Sequence, residues 1–171
     1  KNYKPDIVIN IGVGQPLDLI IDQATTIGLL PGTPMLISYD APTRPQYWKL
    51  HEKNGSGVYF IAYYSPKSPL SDLGQAFNKA YRDKYNEDPV YGALNGFGGI
   101  MILSQALKNA GKDLTTDSFV AGMEAIKDWK DIFGSPPMTF SSTKHQGSSE
   151  SFLCVVKGNR WVPVSKTPIG Y

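Results

Sequence analysis

A chain of 171 residues is long enough for one compact domain with a core of its own. With 41% hydrophobic and 19% charged residues it has the composition of a folded protein, which excludes a disordered tail. The formal charge of +2 comes from 17 basic and 15 acidic residues scattered along the chain; with no basic block to match a phosphate backbone, nucleic acid is excluded as a partner. Apolar runs such as Ile100–Leu103 and Phe152–Val156 are too short to span a bilayer.

The first third alternates strand and helix. Asp6–Ile11 is a β-branched run of the kind that forms a buried parallel strand. It ends at Gly12-Val13-Gly14, after which Leu17, Ile20, Ile21, Ala24 and Ile27 recur at helical spacing, with Pro16 in the first turn and Gly28 at the end. Pro31-Gly32 marks a turn into a strand over Pro34–Tyr39, a short helix is expected over Pro45–Glu52, and a third strand over Gly57–Tyr63. The order β-α-β-α-β predicts parallel pairing among the three strands, through right-handed crossovers.

The middle third is helical. The spacing predicts helices from Ser71 to Tyr85, from Tyr91 to Ala110 before Gly111, and from an N-cap at Thr116 to about Lys127. Gly92, Gly96, Gly98 and Gly99 weaken the second of these helices, and a close-packing surface explains them better than a ligand loop. The last third returns to strands at Met138–Ser141, Phe152–Lys157 and Trp161–Ser165. Gly158-Asn159-Arg160 makes a hairpin turn, and Pro163 points to an edge strand.

Few residues carry chemistry. Gly12-Val13-Gly14 opens like a dinucleotide fingerprint, but Leu17 stands where the third glycine belongs and no acidic residue follows at the required distance. Two readings stay open for it: a loop offering backbone N–H groups to an anion at a helix N-terminus, or a plain βα turn. His51 and His145 have no metal-ligand spacing; the first is expected on an exposed short helix, the second in an unspecialised polar loop. Cys154, alone in an apolar run, reads as a buried core residue. No catalytic residue, metal site or cofactor is expected, and the chain is not expected to be an enzyme.

Ligands of an open parallel sheet gather beyond the carboxyl ends of its strands. The three strand ends offer Gly12, Val13, Gly14 and Gln15, then Tyr39 with Asp40, then Tyr63 with Tyr64. These residues form a candidate site for a small polar molecule bearing a carboxylate, an ammonium or an aromatic ring; the tyrosines read equally as ordinary rim residues.

Several stretches together resemble the branched-chain amino-acid-binding proteins, the type I periplasmic solute-binding proteins of ABC transporters. They are Lys4-Pro5-Asp6-Ile7-Val8, Gly12–Gln15, Asp22-Gln23-Ala24 through Gly28-Leu29, Gln75-Ala76-Phe77 through Tyr85 with Asp88-Pro89, Ser104-Gln105-Ala106-Leu107 with Ala110-Gly111, and Met138–Gly147 with the closing hairpin. The resemblance covers nearly the whole chain as a set of weak motifs. It departs from the family at Phe97-Gly98-Gly99, where a Tyr-Asp-Ala-like step is usual, and at Val13, where some amino-acid binders carry an aromatic residue.

The resemblance implies an α/β type I periplasmic-binding fold with flavodoxin-like lobes, each an open parallel sheet with helices on both faces, and here a C-terminal hairpin. It implies a fragment: residues 1–66 and 136–171 in the second lobe, 67–135 as helices of the first lobe, the rest of which precedes this chain. It further implies reversible capture of an amino acid or other organic acid between hinged lobes, with the ammonium-binding acid at or near Tyr39-Asp40. The partners implied are an ABC permease and the missing lobe, in the periplasm or outside the cell, where a lipid anchor on the full-length protein is compatible. A sensory receptor domain of the same fold is the alternative, and an α/β enzyme the remoter one.

Overall fold

The structure, a computed structural model, describes residues 3–38, 47, 51, 57–64, 70–158 and 160–170. The chain divides into two compact units, one of Lys1–Lys67 with Phe152–Ile169 and the other of Ser68–Ser151 with Gly170–Tyr171.

The first unit is built on an open sheet. Its strands are β1 (Val8–Asn10), β2 (Met35–Ile37), β3 (Val58–Ala62), β4 (Glu150–Lys157), β5 (Arg160–Pro163) and the short β6 (Ile169–Gly170). They lie in the order β1-β2-β3-β4-β5, with β6 also pairing β4. β1, β2 and β3 are mutually parallel, as their β-branched composition and alternation with helices require. β4 enters antiparallel to β3 and turns into β5, with Lys157 opposite Arg160 across the expected hairpin, so the sheet as a whole is mixed. β5 is an edge strand, consistent with Pro163, which has no N–H to give to a further neighbour.

Registry decides which side chains enter the core. Met35 and Val58 are in line with Val8, and Ile37 and Phe60 with Asn10, so β2 and β3 bury the same alternate positions. Onto that face packs α1 (Gln15–Thr26), whose Leu17, Ile21 and Ala24 join Met35, Ile37, Val58, Phe60, Ala62, Cys154 and Val156 in one cluster. Each of the larger side chains contributes about 1.5–3 kcal/mol by leaving water. The intervening positions point the other way, and on edge strand β1 that leaves Ile9 exposed. Of the short helix expected over Pro45–Glu52 only Tyr47 and His51 fall among the described residues, and both are buried.

The second unit is helical. α2 (Asp72–Tyr85) starts where the Ser71 hydroxyl accepts from the Gly74 N–H, and ends on Asn86 in the left-handed region, φ 55°. α3 (Tyr91–Ala110) has the bounds its sequence predicts. α4 (Thr116–Glu124) is capped one residue earlier than expected: Thr115 and Ser118 exchange side-chain-to-backbone bonds as a capping box, and Thr116 is already helical. It also ends three residues short of Lys127, where Ile126 turns its N–H back onto the Met123 carbonyl in a tighter turn. α3 and α4 touch through Gly122, where a Cβ would lie 2.4 Å from the Ala106 carbonyl oxygen. Phe77, Phe97 and Phe133 close the unit's aromatic cluster, with ring centroids 4.5 Å apart for the first pair.

One expectation fails here for a local reason. Met138–Ser141 is not a strand: Met138 bridges Trp129, Phe140 donates to Ile126, and Ser141 bridges Lys144, so successive residues bond to different partners and no ladder forms. Those bonds hold the segment to the turns that follow α4, within the compact unit that runs to Ser151. The glycines of α3 have no packing partner among the described residues: nothing lies within 4 Å of a Cβ built at Gly92, Gly96, Gly98 or Gly99.

Candidate functional site

Asn10 is the last residue of β1, Ser38 follows β2, and Tyr63 follows β3, so parallel pairing sets all three at one edge of the sheet. The Ser38 hydroxyl donates to the Gly12 carbonyl at 2.5 Å, tying the end of β2 to the loop after β1. The Gly12 N–H donates to Asn10 Oδ1 at 2.8 Å. Both backbone groups of Gly12 are thus engaged within the protein, and a Cβ there would come within 2.9 Å of Asn10 Oδ1. Gly12 shapes the loop; the loop's own bonding takes the N–H that sequence reasoning offered to a ligand.

Gly14 takes φ 69°, a conformation that L side chains rarely adopt, and caps α1 without a side-chain bond. Val13 is exposed, and Gln15 opens the helix. The α1 N-terminus therefore faces the strand ends with its partial positive charge. Tyr63, 45% exposed, stands two strands away, on the order of 10 Å. Tyr39 and Asp40 lie outside the described residues. The structure thus groups Gly12, Val13, Gly14, Gln15 and Tyr63 at one sheet edge, and adds Asn10 and Ser38, which sequence reasoning missed. Ser38 falls inside the strand expected over Pro34–Tyr39, and only the observed end at Ile37 sets it at the edge.

Tyr64 does not share the edge with Tyr63. Its ring meets Trp161 edge-on at 5.4 Å, and burial, then the neighbouring Cys154 thiol, pushes its hydroxyl up to about 12. Cys154 is fully buried and burial pushes its thiol up to about 12 as well, as an inert core residue requires.

The largest correction is His51. It is 2% exposed, not solvated, and its Nε2 lies 3.2 Å from Asp18 Oδ1. Its Nδ1 approaches Asp22 Oδ1 at 3.1 Å, within ion-pair range but without hydrogen-bond alignment. Asp18 and Asp22 are one turn apart on α1, so the two carboxylates flank one imidazole. The Tyr47 ring lies 4.8 Å from it, its hydroxyl pushed upward by burial and by the Asp18 charge. His145 is exposed, as expected, yet its Nε2 stands 3.5 Å from Glu124 Oε1. Among the described residues no group of three or more His, Cys, Asp or Glu side chains is placed to hold a metal ion, and no helix is long and apolar enough to cross a membrane.

Residues 1–160 match the sequence profile of a family described as periplasmic binding protein. No curated protein matches the chain. Among solved structures, a leucine-binding protein from Thermotoga maritima superposes with a TM-score of 0.76 at 19% identity, over 97% of this chain and 45% of its own. A branched-chain amino acid ABC transporter protein from Thermus thermophilus, with bound valine, gives 0.78 at 18%, over 97% and 46%. The branched-chain amino acid transporter substrate-binding protein of Streptococcus pneumoniae, in complex with isoleucine, gives 0.74 at 18%, over 99% and 46%. The chain thus spans a little under half the length of these proteins and has the type I fold they share. On the profile match over most of its length, it belongs to the periplasmic binding protein family.

Proposed function

We propose that this chain is part of the extracytoplasmic solute-binding component of an ABC uptake transporter. It grips a small organic solute, an amino acid or another carboxylic acid, at the strand ends that carry Gly12–Gln15, Ser38, Tyr39, Asp40 and Tyr63. The observation that supports this most is that the α1 N-terminus and Tyr63 lie at the same carboxyl edge of three parallel strands, where such sheets take ligands. A carboxylate suits the helix N-terminus, and Asp40 would answer an ammonium. The ligands of two of the similar structures, isoleucine and valine, carry both groups.

In this reading residues 1–66 and 136–171 belong to one lobe and 67–135 supply helices to the other, the remainder of which lies outside this sequence. Capture is closure of two lobes on a hinge with no covalent step, and the closed form is what a membrane permease receives. Mass spectrometry of small molecules released from the full-length protein, followed by calorimetry with the compound found, tests it. A bound amino or carboxylic acid with micromolar or tighter affinity is expected; a protein that releases no such compound and binds none overturns the reading.

A further inference from the structure

The second unit contains a cavity of about 190 Å³ between α4 and the loop that follows it. Val120 and Met123 of α4 and Phe140 of the loop form its walls, and Glu124 and His145 stand at its mouth. The loop is fastened before anything binds. Phe140 donates to the Ile126 carbonyl at 3.0 Å, the Lys127 ammonium donates to the Phe140 carbonyl, and the Asp128 N–H donates to Thr139 Oγ1 at 2.8 Å. Gly147 lies so close to Phe140 that a Cβ there would come within 2.9 Å of the ring, and its carbonyl accepts from the Thr139 N–H at 2.7 Å. A wall held this way needs little ordering on binding, which is where affinity for small molecules is usually lost.

Size and charge narrow the occupant. A cavity of about 150 Å³ lined by apolar side chains admits benzene, so this one has room for a six-membered ring or a short branched chain. The lining holds one carboxylate, that of Glu124, beside His145. The Glu124 side chain is 27% exposed, and its partner His145, at 3.5 Å and itself 75% exposed, is too distant for a close hydrogen bond. Glu124 is also the last residue of α4, where the helix carries its partial negative charge.

We propose that this cavity is a second ligand site, taking a small monocationic amine whose apolar body fills the space between Val120, Met123 and Phe140 while its ammonium meets Glu124. The site lies in the second compact unit, the strand-end residues in the first, and it does not depend on the function proposed for them. A free amino acid fits poorly here, because its carboxylate would share the mouth with that of Glu124.

Met123 supplies the reporter. In full-length protein carrying ¹³C-methyl methionine, with the Met123 signal assigned through Met123→Leu, benzylamine should shift that signal in the millimolar range, as ligands of this size do. Toluene should require roughly fivefold or more higher concentration, and benzoate should leave the signal in place. Glu124→Gln should bring benzylamine to the level of toluene, and Val120→Trp, which fills the cavity, should abolish both. The Met35 and Met101 signals should stay in place throughout, reporting an intact fold. A Met123 signal unmoved by benzylamine, an equal response to benzoate, or a Glu124→Gln protein that binds benzylamine as well as the parent overturns the proposal.

Discussion

His51 Nε2 and Asp18 Oδ1 meet at 3.2 Å inside the first unit, 33 residues apart in sequence and both shielded from water. The pair joins α1 to the segment after β2, and a buried carboxylate that loses such a partner keeps its desolvation cost without compensation. His51→Ala should therefore destabilise the full-length protein by about 2–4 kcal/mol, read as a lower urea midpoint at constant slope. An exposed histidine would give a change within about 0.5 kcal/mol.

The α3–α4 contact predicts a second outcome. At Gly122 an added methyl group would meet the Ala106 carbonyl oxygen at 2.4 Å, and at Gly74 the Ile132 carbonyl oxygen at 2.3 Å. Both obstacles are backbone, which cannot rotate aside. Gly122→Ala and Gly74→Ala should each lower stability by about 1–3 kcal/mol, despite the higher helix propensity of alanine. Thermal unfolding followed by circular dichroism measures both.

Alkaline pH supplies a third. The Cys154 thiol is raised from 9.0 to about 12 and the Tyr64 hydroxyl from 10.0 to about 12, in both cases first by burial. A group whose pKa is raised on folding favours the folded state below its unfolded value, and that contribution is lost as pH rises towards the folded one. Stability should fall from about pH 9 upwards, and Cys154→Ala should flatten the first part of that fall. In the native protein at pH 8, iodoacetamide should leave Cys154 unmodified until denaturant is added.

At the strand-end site, Asp40→Asn and Tyr39→Ala should each weaken binding of the released ligand by about 1–3 kcal/mol in calorimetry. Ser38→Ala should weaken it through the loop, since Ser38 holds the Gly12 carbonyl. Unchanged affinity in all three would take the site away from these strand ends.

The elements legible in sequence are those with a local signature. Asp6–Ile11 and Gly57–Tyr63 show β-branched runs, and α3 is bracketed by Pro89 and Gly111, so their existence and order follow from neighbours in the chain. Thr115 and Thr116 are equally good caps by type, and only the reciprocal bond with Ser118 separates them. Met138–Ser141 carries strand-like residues, but its hydrogen-bond partners are fixed by tertiary position. His51 was read as solvated because both of its acidic neighbours come from a helix about thirty positions earlier. At the site, glycines at a strand end are conspicuous; a serine that fastens the next strand to them is not.

The two borders of the sheet are not alike. On one side β5 ends in Pro163, and a residue without an N–H deters any further strand from docking there. On the other side β1 pairs only with β2 among the described residues, and Ile9 within it and Ile7 and Ile11 on its flanks are exposed at 64, 50 and 85%. The sheet is therefore polar in its capacity to grow: additional strands have a template at β1 and an obstacle at β5. Recombinant pieces that leave β1 bare would present a sticky rim, and charge introduced at Ile9 and Ile11 is the natural way to keep such pieces dispersed for crystallisation.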